Sequence, residues 1–202
     1  MNLINKLMLY KLLLLFILTP AQAEINDVDK FVEKFTNKIF NIIKKEKTIA
    51  EIRAELVEEI SDNIDIEITS KFVLGKYWKN MTIEQQESFK ELFKEYLIFN
   101  YAPKFQGFND ESFEIIETKM LAPQKYSSKI NIILSDKTTF SVVMYLIEKD
   151  RKFKIVDIAG EGISFSATQR TEFNALINKN GIDKFLQILA QKIQNLKANA
   201  QN

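Results

Sequence analysis

Neither cysteine nor histidine occurs anywhere in the 202-residue chain. Without cysteine there is no disulfide framework, no thiolate nucleophile and no zinc knuckle. Without histidine there is no Ser-His-Asp triad, no imidazole base and no histidine-ligated metal. Charge of one sign is missing too: 28 Lys plus Arg stand against 27 Asp plus Glu, a net +1. A nucleic-acid binder would show a basic excess or stripe, so no nucleic-acid partner is expected. Carboxylate chemistry is what these absences leave open.

A long hydrophobic run is also lacking. Lys6 and Lys11 give a positive start, Leu12 to Leu18 form a short apolar stretch, and Pro20 breaks it. Ala21-Gln22-Ala23 is then an A-x-A cleavage site before Glu24. The run is far short of the ~20 residues of a membrane span, so residues 1–23 read as a cleaved secretory signal. No cysteine at the cleavage site offers a lipid anchor. Removing 23 of the 202 residues, two of them lysines, leaves 26 basic against 27 acidic groups. Residues 24–202 fit one domain, burying roughly 70% of the unfolded surface.

Apolar positions then recur at helical spacing. Asn26 or Asp27 can cap a helix presenting Val28, Phe31, Val32, Phe35, Ile39, Ile42 and Ile43. Lys44 to Lys47 read as a solvated connector. Thr48-Ile49-Ala50-Glu51 and Thr82-Ile83-Glu84-Gln85 are capping boxes, and a short helix is expected over Ile66 to Leu74. The helix opened by Thr82 is the strongest, with Phe89, Leu92, Phe93, Tyr96 and Leu97 on one face. Ile98, Phe99 and Tyr101 widen that face, as in a helix buried on several sides or bordering a cavity.

From Ser112 the period changes to two. Strands are expected over Phe113–Met120, Tyr126–Ser135, Thr139–Glu148 and Lys152–Ile158, joined by antiparallel hairpins. The third is apolar on both faces, Phe140, Val142, Met144 and Leu146 against Val143, Tyr145 and Ile147, and should be central and covered on both sides. Gly160 and Gly162 supply backbone freedom for a turn, and Ser166-Ala167-Thr168-Gln169 could cap the next helix. Two C-terminal helices follow. Helices, a four-stranded meander and helices again make an α+β fold with helices packed on one antiparallel sheet.

Asp62, Asp65 and Glu67 cluster, as do Glu114 and Glu117, but no spacing specifies a catalytic pair or a calcium loop. Gly160-Glu161-Gly162-Ile163-Ser164 lacks the nucleophile-elbow order. No catalytic residue, metal ligand or cofactor is therefore expected. What remains is aromatic bulk, 16 Phe, 6 Tyr and 1 Trp. It serves either a packed core or a cavity for an apolar ligand, and periodicity does not separate the two.

Two stretches resemble the MlaC-like family of periplasmic phospholipid carriers, also called the toluene-tolerance auxiliary family. Phe72-Val73-Leu74-Gly75-Lys76-Tyr77-Trp78 is similar to its L-G-x-Y/H-W element, with Gln85, Phe89 and the long aromatic helix following. Val156-Asp157-Ile158, Glu161-Gly162-Ile163-Ser164, Arg170, Phe173 and Gly181 resemble its Y-D, E-G-[VI]-S, R-x-x-F and later glycine, with Val156 in place of the usual tyrosine. The resemblance implies a twisted four-stranded sheet of NTF2- or cystatin-like form, with an apolar cavity between sheet and helices. It implies a periplasmic monomer that holds the tails of a diacyl phospholipid. The carrier would move lipid between an outer-membrane lipoprotein complex and an inner-membrane ABC transporter bearing MCE domains. A carboxylate-dependent periplasmic hydrolase and a non-transporting envelope adaptor are the alternatives. For the lipid-binding wall the strand alternation points to Ile130, Ile132, Leu134, Phe140, Val142, Met144 and Leu146, with Phe93, Leu97 and Tyr101 from the long helix. The Val142 face is chosen over its opposite because Met144 adapts to flexible chains. Arg170 is expected to pair with Asp157 or Glu161.

Overall fold

Two capping boxes fix helix starts where the sequence marks them. Thr48 Oγ1 accepts the Glu51 amide while Glu51 reaches back to Thr48, and Thr82 and Gln85 repeat the exchange. In the computed structural model, which describes residues 20–43, 47–105 and 111–198, these open α2 (Ile49–Asn63) and α4 (Ile83–Tyr101). Before them runs α1 (Pro20–Ile43); α3 (Ile66–Leu74) lies between, capped by Asp65. Leu74 is followed by a 3-10 turn, Gly75–Asn80, and α4 by another, Ala102–Phe105. Most of the expected leader, and residues 44–46 of the expected connector, lie outside the described residues, while Lys47 is ion-paired with Glu55. Asn26 and Asp27 are not caps: α1 is already helical from Pro20, so both sit inside it.

The sheet is an antiparallel meander of β1 (Ser112–Ala122), β2 (Lys125–Ile133), β3 (Thr139–Lys149), β4 (Lys152–Gly160) and β5 (Ile163–Ser164), in that order. The α+β class is as expected. The fifth strand is new, and two residues are too few to leave a period in the sequence. β3 is central, but it is covered on one face only: Val142, Met144 and Leu146 are buried, while Tyr145 opposite them is 36% exposed. The outward face pairs Val143 with exposed Lys129, so its apolar side chains border water rather than a second layer.

Helices α5 (Phe165–Asn180) and α6 (Ile182–Ala198) close the chain. The cap of α5 is Ser164, whose Oγ accepts the Ala167 amide at 3.0 Å; Ser166 lies inside the helix. The start is displaced because Asp157 on β4 captures it. Its carboxylate accepts from Ser164 Oγ at 2.5 Å and from the Ser166 amide at 2.9 Å. Those bonds also occupy Asp157, and Glu161 accepts from the Ser141 amide. Arg170 pairs with neither acid; its guanidinium lies 5.4 Å from the centre of the Phe72 ring.

Three packed groups hold these layers. Phe89, Phe93, Phe173 and Phe185 join α4, α5 and α6 through ring contacts of 5.2–6.1 Å. Val28, Val32 and Phe35 of α1 pack on Tyr126, Ile130 and Leu146 of the sheet. Phe40, Ile42, Ile52, Leu56 and Ala102 bind the end of α1 to α2. The helical layer is stitched to the edge of β4: Ile64 forms a parallel bridge with Ile155, the Asp65 amide donates to Ile155 O at 2.9 Å, and Thr69 Oγ1 lies 3.1 Å from Val156 O.

Candidate functional site

The alternation of β2 and β3 puts Ile130, Val142 and Met144 on the face that looks toward the helices, with Ile130 directly opposite Val142. That face does not close completely on the layer above it. Between them lies a cavity of about 550 Å³, well within the range of ligand pockets. Its sheet wall includes Ile130, Ile132, Leu134, Phe140, Val142 and Met144, with Ile155 and Ile158 of β4. Its helical wall takes Leu97, Ile98 and Tyr101 from the last turns of α4, and Leu56 and Ile60 from α2. Burial pushes the Tyr101 hydroxyl up to about 12.

Eight of the ten residues expected on a ligand wall therefore line one cavity. Phe93 and Leu146 do not. Phe93 lies one turn before Leu97, where α4 is already covered by α5, and it stacks on Phe89 with centroids 5.3 Å apart. Leu146 lies two residues beyond Met144 on β3, opposite Tyr126, where the first half of α1 covers the sheet.

A whole wall was missed by sequence reasoning. Phe35, Thr36, Ile39, Phe40 and Ile43 of α1 line the cavity, as do Phe165 and Ser166 at the start of α5. The stripe of α1 was visible at helical spacing, but spacing does not say that its second half spans a gap while its first half packs tightly. The rim is apolar and wet. Ile163 is 69% exposed and Phe140 40% exposed, and both belong to the lining. Phe140 leans over Gly160: a Cβ there would lie 2.8 Å from its Cζ. Gly160 is thus kept small by this close approach, whereas Gly162, at φ +79°, supplies the expected left-handed turn.

Few polar side chains reach the cavity. Asp157 is engaged by Ser164 and Ser166 as described, and Thr69 Oγ1 is 2.8 Å from Asp65 O. Thr36 and Ser166 differ, since their hydroxyl oxygens are buried without a hydrogen-bond partner. No lysine or arginine occurs among the described lining residues. The acids singled out from sequence lie elsewhere. Asp65 caps α3, accepting the Ile68 amide at 2.8 Å; Glu67 is held below the usual carboxylate range by hydrogen bonds from Lys71 and Lys90; Glu117 pairs with Lys119 at 2.7 Å. A separate, more open groove of about 470 Å³ is lined by Glu33, Asn37, Asn41 and Glu111, and the edge-to-face pair Phe40–Phe113 borders it. Among the described residues no cluster of three or more His, Cys, Asp or Glu could hold a metal ion, and no helix is long and apolar enough to cross a membrane.

This arrangement can take up an uncharged, apolar group, and known proteins share its frame. The MlaC protein family model matches residues 33–191. The intermembrane phospholipid transport system binding protein MlaC of Haemophilus influenzae is 24% identical over 144 residues, 69% of this chain and 67% of that one. A phospholipid-binding protein from Ralstonia solanacearum, solved in complex with a phospholipid, has the same fold. Its TM-score is 0.75 at 18% identity, covering 82% of this chain and 96% of that structure.

Proposed function

Since the match over residues 33–191 places this chain in the MlaC family, we propose that it is a phospholipid carrier that holds acyl tails in the cavity between the sheet and the helices. The observation that carries the reading is the lining: an apolar cavity of about 550 Å³ with no cation on its described walls and an exposed apolar rim. Taking lipid from a bilayer costs about 0.8 kcal/mol for each CH₂, so two ~16-carbon tails require on the order of 25 kcal/mol of compensation. At about 25 cal/mol per Å², that is on the order of 1,000 Å² of apolar contact. An apolar cavity walled by sheet and helices supplies more of that contact than a shallow surface groove can. The phospholipid named for the Ralstonia and Haemophilus proteins is the ligand we assign here, diacyl in form.

The same reading makes the protein a periplasmic shuttle between an outer-membrane lipoprotein complex and an inner-membrane MCE-domain ABC transporter, with residues 1–23 removed as a signal. It acts by binding alone, as a monomer, without metal or cofactor. Lipid extraction and mass spectrometry of the gently purified protein test the ligand. Phospholipid in stoichiometric amount is the expected result; an empty protein that also takes up none in exchange assays overturns the reading. Val142→Trp and Leu134→Trp sharpen it. Filling a cavity lowers bound lipid while roughly preserving stability, whereas overpacking a solid core costs ~1–3 kcal/mol and leaves lipid content alone.

A further inference from the structure

Two hydroxyls stand out in the cavity because nothing in the protein satisfies them. Thr36, in the middle of α1, is 3% exposed, and Ser166, in the first turn of α5, is 0% exposed. Both line the cavity, and neither Thr36 Oγ1 nor Ser166 Oγ has a hydrogen-bond partner. The neighbouring hydroxyls of α5 and its cap are employed: Ser164 bonds Asp157, and the Thr168 and Thr171 hydroxyls donate to carbonyls one turn back. A buried hydroxyl left without a partner is costly, and two in a largely apolar space ask for an acceptor from outside the chain.

The chemistry of that acceptor is constrained by what surrounds it. Phosphate is excluded from so deep a position, since no lysine or arginine is among the described lining residues and Asp157 is the acid among them. A buried anion facing two neutral donors and a carboxylate would be strongly unfavourable. Hydrocarbon offers no acceptor at all. The neutral acceptor at the root of an acyl chain is the ester carbonyl, which enters an apolar site at little desolvation cost once a hydroxyl meets it.

We propose that Thr36 and Ser166 are specificity-determining residues, each donating a hydrogen bond to an ester carbonyl of the bound glycerolipid, so that the cavity selects ester-linked over ether-linked lipid. The proposal rests on the carrier reading and deepens it. It also sets the depth of the ligand: the ester linkages lie inside the protein, with the phosphate beyond the rim near Phe140 and Ile163.

The test loads the lipid-free protein from vesicles holding equal amounts of a diester phosphatidylcholine and its diether analogue with the same chains, and reads the bound ratio by native mass spectrometry. One neutral hydrogen bond corresponds to about a three- to tenfold preference for the diester. Thr36→Val and Ser166→Ala should each lower that preference, and the double variant should abolish it. Thermal melts confirm that each variant is folded, and Thr36→Ser, which keeps the hydroxyl, should retain the preference. Equal loading of the two lipids by the wild type, or a preference that survives both substitutions, overturns the assignment while leaving the carrier reading intact. Failure to load either lipid overturns both.

Discussion

Gly75 has φ +55° and ψ −121°, a region closed to side-chain-bearing residues, and the guanidinium of Arg170 lies where its Cβ would be, 2.7 Å from Nη2. The residue has two reasons to be glycine, one from its own backbone and one from its neighbour. Gly75→Ala therefore forces a strained backbone and pushes Arg170 off the Phe72 ring together. We expect a loss of about 2 kcal/mol or more, seen as a drop of about 4–8 °C in Tm for a domain of this size. Lipid loading should change little, because neither Gly75 nor Arg170 lines the cavity. Phe140→Ala is the contrasting case. It removes a ring that is 40% exposed at the rim, so loading should suffer more than stability. Comparing Tm and bound lipid for the two variants checks both expectations.

At the scale of elements, each capping box closes a helix that carries part of the cavity wall. Thr82→Ala removes the acceptor for the Gln85 amide, and helix caps of this kind are worth about 1 kcal/mol. An unfolding free energy lowered by that amount in urea titration, with unaltered lipid content, is the expected result. Elements that announce themselves by a local rule were all legible in the sequence: the two boxes, the hairpins, the short α3 and the sheet order. Elements decided by a distant partner were not. Ser166 offered a capping pattern, but Asp157 moved the cap to Ser164. β3 looked apolar on both faces, yet only the face under α1 found a second layer, which leaves Tyr145 half in water. The site divides in the same way. Strand alternation picked out Ile130, Val142 and Met144 because period two assigns a face, and extended that face too far to Leu146. It had no means of finding Thr36 or Ser166, whose hydroxyls stand out only by the hydrogen bonds they do not make.

For the whole molecule, burial of two phenols couples stability to alkaline pH. Tyr101 and Tyr126 are both pushed up to about 12, chiefly by desolvation, against about 10 in the unfolded chain. The folded state therefore binds more protons than the unfolded state between these values. Their contribution is complete below pH ~10 and is lost as pH rises toward 12. Denaturant midpoints should fall over that interval, and Tyr126→Phe should shrink the fall. The phenol of Tyr126 also lies 3.2 Å from the Glu24 carboxylate, across 102 residues of chain. That span bears on the order of events in time. Of the described elements helix α1 emerges first, with an apolar face made of Val28, Val32 and Phe35, but the strands that receive it are made about a hundred residues later. A long loop must close before that face is rewarded, so the first half of α1 should dock on the sheet last, after the meander and the aromatic helices have formed locally. Val32→Ala should then speed unfolding and barely slow folding. Until docking, the sheet face beneath α1 is bare, and the cavity exists only once this early helix has come back to roof it.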